Sequence, residues 1–231
     1  MQKRTLFIWD VHGCYDELMS LVEKIWLKDE DNLYFVWDLI NKWPKSLEVV
    51  EWIRSRPNTW SVLWNHEYFP LVTPLEVDQL TSSSSSDLSD GTKNWIQIQY
   101  EESRDIRQVF ESHWHREWLV SLPHIIEKED FILVHGWLHP EYGINTPKEI
   151  STLIRVIDGK PWYDLYTGKK LVIYGHWAVE GLRIRTNTVW LDTGCCFGGA
   201  LTAYCLESGE IWQVRANRVY IEPANWKGKQ E

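Results

Sequence analysis

Short apolar runs, each ending on a polar or metal-capable side chain, set the rhythm of the first 69 residues. Thr5-Leu6-Phe7-Ile8, Asn32-Leu33-Tyr34-Phe35-Val36 and Ser61-Val62-Leu63 read as strands. Between the first two, Tyr15 to Ile25 places Leu18, Met19, Leu21, Val22 and Ile25 at helical spacing. Pro44-Lys45-Ser46 opens a second helix running through Arg56, with proline in the first turn, where its missing N–H costs nothing. The order β-α-β-α-β predicts a parallel sheet with right-handed crossovers, the start of an α/β fold.

Residues 70–125 break this rhythm. Five serines, Ser82 to Ser86, stand beside Asp87, Ser89 and Asp90 and predict a loop. A helix-like stretch from Asp105 to Leu119 follows and ends near Leu122-Pro123. The region reads as a cap inserted into a single domain spanning residues 1–231. Strand patterns resume at Phe131 to Val134 and Leu171 to Tyr174, then at Thr188 to Leu191, Ala200 to Leu206 and Glu210 to Val214. The close spacing of the last three favours antiparallel pairing, and hence a second, mixed sheet.

Composition narrows the partners. A formal charge of −9 argues against a nucleic-acid duplex or a membrane surface as partner. No apolar stretch approaches the length of a membrane span, and the first residues run straight into a strand rather than a signal-peptide core. Cys14, Cys195, Cys196 and Cys205 lack zinc-type pair spacing and read as reduced thiols in a cytoplasmic protein.

The candidate chemistry sits where the strands end: Asp10-Val11-His12, Asp38, Asn65-His66-Glu67, His135 and His176. Twenty-five residues separate His12 from Asp38 and twenty-six separate Asp38 from Asn65. An open α/β sheet presents ligands in this way, from loops at the carboxyl ends of its strands. Two divalent cations about 3.5–4 Å apart can clamp a phosphoryl group and acidify a bridging water. Asp10, His12 and Asp38 suit one cation, and Asp38, Asn65, His135 and His176 the other. His66 is then placed to protonate a leaving oxygen. Bound cations would also reverse the field that an acidic chain presents to an anionic substrate.

Taken in order, Asp-x-His, Asp38-Leu39-Ile40-Asn41-Lys42, Asn65-His66-Glu67, Val134-His135-Gly136 and Gly175-His176-Trp177 resemble the calcineurin-like metallophosphoesterases. The tail Leu191-Asp192-Thr193-Gly194-Cys195-Cys196-Phe197-Gly198-Gly199-Ala200-Leu201-Thr202-Ala203, with Gln213-Val214, is similar to that of the symmetrical diadenosine tetraphosphatases. Protein serine/threonine phosphatases share the chemistry and are the close alternative. The resemblance covers nearly all of the chain except the insert. It implies a four-layer αββα sandwich, two divalent metals (manganese, with iron or zinc as substitutes) and in-line attack by a metal-bridging hydroxide. It also implies a dinucleoside polyphosphate or phosphoprotein substrate. The six metal-ligand positions and the proton donor His66 carry over directly. Lys42 and Arg155 are the candidate phosphate clamps. Asn41-Lys42 stands where the protein phosphatases have an Asp-Arg pair, so Lys42 offers a point charge rather than a bidentate fork.

Trp9, Trp37, Trp43, Trp64, Trp137, Trp190 and Trp26 fall where the resemblance expects glycine, among 16 tryptophans in all. Three explanations compete: an inactive relative that serves as a binding scaffold, engineering, or a gene in which UGA encodes glycine read out as tryptophan. Retained glycines at 13, 136, 175, 194, 198 and 199, together with the intact ligand set, favour the recoding reading. Other features read more plainly. His113-Trp114-His115 belongs to a solvated cap face, His139 to a loop, and Cys195-Cys196 to packing. Glu67 is equally a ligand-orienting acid or a helix N-terminal acid.

Overall fold

A computed structural model describes residues 3–36, 39–40, 45–63, 77–78, 93–94, 97, 115–139, 141–146, 156–157, 160–175 and 181–221. In chain order these form β1 (Thr5–Ile8), α1 (Tyr15–Lys24), β2 (Asn32–Phe35), α2 (Ser46–Ser55) and β3 (Thr59–Ser61). Then come α3 (His115–Ser121), β4 (Ile125–Glu127), β5 (Phe131–Val134), β6 (Val156–Ile157), β7 (Lys160–Pro161) and α4 (Trp162–Leu165). The chain closes with β8 (Leu171–Tyr174), β9 (Arg183–Ile184), β10 (Thr188–Trp190), a 3-10 turn (Cys195–Phe197), β11 (Ala200–Cys205) and β12 (Ile211–Arg215).

Two five-stranded mixed sheets result, ordered β12-β11-β1-β2-β3 and β4-β5-β8-β10-β9. β1, β2 and β3 run parallel, as expected, and so do β5, β8 and β10. The expectation for the last strands needs correction. β11 and β12 do pair antiparallel, but they return to the first sheet, where β11 flanks β1; the second sheet is built on β5, β8 and β10. Local spacing predicted the hairpin and could not reveal which open edge it would cover. β3 also lies earlier than its apolar run suggested, because Leu33 of β2 takes Thr59 as its partner.

Alternation along the strands explains the layers. Leu6 and Ile8 of β1, with Leu33 and Phe35 of β2, join Leu18 and Leu21 of α1 and Val49, Val50 and Ile53 of α2 in one core. The opposite faces send Phe7, Trp9, Tyr34 and Val36 into a second core between the sheets. There Phe7 meets Phe131 edge-on at 4.9 Å between ring centres, and Tyr34 meets the same ring at 5.0 Å. Sheet-on-sheet packing with helices outside is the expected α/β sandwich.

α1 ends at Lys24, with Ile25 as its C-cap, and Trp26 follows in a left-handed conformation (φ 51°) with 82% of its surface exposed. Glycine is the usual occupant of that position. Arg4 clamps this end, donating to the Ile25 and Trp26 carbonyls at 3.0 and 3.1 Å and pairing with Asp31 at 2.5 Å. Of the expected cap helix, only its end is described, as α3, with Leu119 buried in the outer core; His115, expected on a solvated face, is instead buried, its Nδ1 2.7 Å from Arg54 Nη1. The serine run and most of the expected insert lie outside the described residues. Among the described residues no helix is long and apolar enough to cross a membrane.

Candidate metal centre

β1 ends in a tight turn that no ordinary residue pattern would adopt. Asp10 (φ 35°), His12 (φ 43°) and Gly13 (φ 70°) all occupy the left-handed region. Asp and His visit that region more readily than most side chains, yet such a residue typically costs about 1–3 kcal/mol and persists only where its surroundings hold it. Here they do. The Trp9 amide donates to the Thr202 carbonyl at 3.3 Å, Gly13 to Leu39 at 3.1 Å, and Cys14 to Val11 at 2.7 Å. The Gly13–Leu39 bond ties this turn to the segment following β2, immediately after Asp38.

The second sheet contributes through an equivalent link. His135 follows β5 directly, and its carbonyl accepts from the Gly175 amide at 3.0 Å, just past the end of β8 and one residue before His176. The Trp162 indole N–H pins the next carbonyl, Gly136, at 2.7 Å. The two loop pairs meet at Trp9. Its buried ring lies so close to Gly175 that a Cβ there would stand 2.1 Å from the ring carbon Cζ2. Only glycine fits at 175 while tryptophan stands at 9.

Asp10, His12 and His135 are 6, 2 and 1% exposed. Asp10 supplies a carboxylate and His12 and His135 supply imidazoles, each buried in a loop at a strand end, and these are donor types that manganese, iron or zinc accepts. The chemistry of these donors fits a divalent ion. Asp38, Lys42, Asn65, His66, Arg155 and His176 lie outside the described residues, as do Trp37, Trp43, Trp64 and Glu67.

The tail motif braces the same turn from behind. Thr193 Oγ1 donates to the Ala200 carbonyl and lies 2.6 Å from Thr202 Oγ1, which also accepts from Gln213 Nε2 at 3.0 Å. Asp192 is buried and accepts from the Gly194 amide at 3.0 Å.

No protein-family profile matches the chain. Curated relatives do. It is 30% identical to the symmetrical bis(5'-nucleosyl)-tetraphosphatase of Methylobacillus flagellatus, across 91% of this chain and 94% of that protein. The chain belongs to the bis(5'-nucleosyl)-tetraphosphatase family. An asymmetrical family member from a Geobacillus strain is 28% identical across 93% of this chain and 95% of its own. A crystal structure provisionally named a diadenosine tetraphosphatase superposes with a TM-score of 0.72 at 27% identity, covering 93% of this chain and 94% of that one. A metallophosphoesterase from Sphaerobacter thermophilus, at 16% identity and a TM-score of 0.54, shares the fold.

Within this tetraphosphatase family fold, one cluster escaped the sequence reading. Ligand atoms of Cys14, Glu17 and Cys195, all buried, lie within 4.8 Å of one another beneath the Asp10–Gly13 turn. Glu17 Oε1 accepts from the Asn217 amide at 2.9 Å and from the Tyr220 hydroxyl at 2.5 Å, so it fastens the segment after β12 to α1. The hydrogen bond with Cys14, reinforced by burial, pushes the Cys195 thiol well above its ordinary range. Cys195 is thus a protonated packing group, and with Cys196 buried beside it this agrees with the reading of Cys195-Cys196 as core and not as a redox pair. The signal was the position of Cys14 immediately after Gly13.

The described tryptophans divide. Trp9, Trp137 and Trp190 are buried in the inter-sheet core, with Trp190 edge-on to Tyr174 at 5.2 Å. Trp26 is exposed and left-handed.

Proposed function

We propose that this chain hydrolyses dinucleoside tetraphosphates at a dinuclear centre formed by Asp10, His12, Asp38, Asn65, His135 and His176. The observation that carries the proposal is the strained, buried Asp10-x-His12 turn, linked through Trp9 and Gly175 to the His135 loop, in a chain related to a tetraphosphatase across 91% of its length. When bound, divalent cations neutralise phosphate oxygens and acidify water. Manganese is the first choice for both positions. The chain's own residues do the rest. Lys42 and Arg155 hold phosphates in line, and His66 delivers a proton to the departing phosphate oxygen. Asn41 cannot stabilise a protonated His66 as a carboxylate would. Four buried free thiols suit a reducing compartment such as the cytoplasm.

Symmetrical cleavage, giving two nucleoside diphosphates, is the leading reading. One observation favours asymmetrical cleavage to a triphosphate and a monophosphate. The match to the asymmetrical relative spans 240 residues, nearer to the 231 of this chain than the 265 spanned with the symmetrical one. Incubating manganese-loaded protein with diadenosine tetraphosphate and separating the products decides between them. ADP alone supports the first reading, and ATP with AMP supports the second. Turnover of a phosphopeptide but not of the dinucleotide would move the protein to the phosphoprotein phosphatases. A metal-free protein that hydrolyses neither, nor p-nitrophenyl phosphate, would make it a scaffold.

A further inference from the structure

The chain leaving the candidate metal centre after His135 does not wander. His139 and residues 141–146 form a closed, cross-braced turn. The Gly143 amide donates to the His139 carbonyl at 2.8 Å, Asn145 to Tyr142 at 3.0 Å, and Thr146 to Gly143 at 3.0 Å. Thr146 Oγ1 accepts from the His139 amide at 2.9 Å and donates to the Gly143 carbonyl at 2.5 Å. His139 Nδ1 accepts from the amides of Glu141 and Tyr142 at 3.1 and 3.4 Å, which leaves Nε2 to carry the ring proton. From outside the turn, His124 Nε2 meets the Thr146 carbonyl at 3.1 Å.

All this bracing presents one ring. Tyr142 stacks on the His139 imidazole at 4.1 Å with an interplanar angle of 19°, and His139 in turn meets the buried Trp137 edge-on at 5.2 Å. Half of Tyr142 is exposed, and among the described residues no second ring covers it. Ile144 beside it is also exposed. An exposed aromatic usually swings freely. This one has been backed by a second ring, anchored in the core through a third, and fixed to the loop that carries His135.

The geometry points to the Tyr142–His139 pair as a stacking subsite for a nucleobase of the substrate. The inference rests on the tetraphosphatase reading and adds a binder for the nucleoside, where the metal ligands and phosphate clamps recognise only phosphate. A rigid aromatic face binds a base with little loss of side-chain freedom, because the ordering has already been done in the free protein. The Glu141 carboxylate, exposed next to the ring, is an acceptor for an exocyclic amine on that base.

The test separates base from phosphate. Affinities of ATP and of inorganic triphosphate are measured by titration calorimetry on the metal-loaded protein, its Tyr142→Ala variant and its Tyr142→Phe variant. Tyr142→Ala is expected to weaken ATP about ten-fold, as loss of one stacked base does, and to leave triphosphate unchanged. Tyr142→Phe should hold ATP as the parent does. In turnover, Tyr142→Ala should raise KM for diadenosine tetraphosphate by a similar factor and leave p-nitrophenyl phosphate hydrolysis untouched. Equal affinity for ATP with and without the ring overturns the subsite, and so does equal weakening of ATP and triphosphate, which would make Tyr142 a prop for the His135 loop. The binding arm does not depend on hydrolysis. If the protein fails to cleave the dinucleotide yet loses ATP affinity with Tyr142, the subsite stands and the tetraphosphatase reading falls.

Discussion

The two cores of this protein are built from different materials. Beneath α1 and α2 the first sheet packs leucine, isoleucine and valine, with Cys14, Cys195, Cys196 and Cys205 among them. Between the sheets, leucine, isoleucine and valine are joined by the rings of Phe7, Trp9, Tyr34, Phe131, Trp137, Trp162, Tyr174, Trp190 and Tyr204, against the single buried ring of Phe35 among the described residues of the first core. The aliphatic core joins helices to strands. This second core lies under the loops that carry Asp10 and His135, through Trp9 and Trp137 beside them. Trp9, Trp137 and Trp190, at positions where the family resemblance expects glycine, all fall on the aromatic side, where a large ring joins others. Trp26 falls outside both cores, at a helix end where volume counts for nothing and backbone conformation decides.

Truncation should expose this contrast most strongly. Phe7→Ala removes the ring that bridges the sheets and is expected to cost about 4 kcal/mol, against about 3 kcal/mol for Leu18→Ala in the aliphatic core. Urea unfolding measures both, and only the first should also depress turnover per folded molecule. Equal loss of turnover in the two variants would break the assignment of the aromatic core to the centre.

A ligand change should do the reverse. His12→Ala is expected to lower kcat/KM on diadenosine tetraphosphate by more than about 100-fold, beyond the usual effect of a residue that only orients a ligand. The urea midpoint should stay near that of the parent. A variant that keeps its activity would remove His12 from the centre.

The edge of the aliphatic core also carries an acid-sensitive tie. Burial works to raise the Asp31 carboxyl, but the hydrogen bonds from Arg4 and the Lys28 amide prevail and hold it below its ordinary value. Its contribution is therefore complete above the ordinary carboxylate value of about 4 and is lost as pH falls through the lower folded value. Stability followed from neutral pH to about pH 2.5 should fall on that limb, and the fall should be shallower in Asp31→Asn. Identical acid limbs would show that Arg4 and Asp31 do not hold the end of α1.

The smallest effect tests the tryptophan outside the cores. Trp26→Gly relieves a left-handed side chain and should raise stability by about 1 kcal/mol, a Tm gain of roughly 2–4 °C. A lower Tm would mean that the exposed ring packs better than its position suggests. Peptide mass mapping of protein from its native source asks the complementary question. Glycine at residues 9 and 26 would establish recoding, and tryptophan at both would end it.

Much of this could be read from the sequence. The first three strands and two helices followed from apolar spacing, and Asp10, His12 and His135 lie buried at strand ends as their placement implied. What the sequence concealed was long-range. Nothing near Ala200 to Cys205 announces that this strand covers β1. The left-handed turn at Asp10 and His12 depends on bonds to Thr202 and Leu39, far from it in sequence. The paired rings of Tyr142 and His139 were invisible because a loop histidine gains meaning only from what stacks on it.

The pairing of Leu6 with Cys205 has one more consequence. During synthesis β1 emerges among the first strands and finds β2 at once, but its other edge stays open until almost the whole chain has been made. The turn bearing Asp10 and His12 lacks its Thr202 tether for all of that time. A nascent chain therefore carries an unpaired hydrophobic strand edge, which makes the ribosome-bound stage the point of greatest exposure to aggregation.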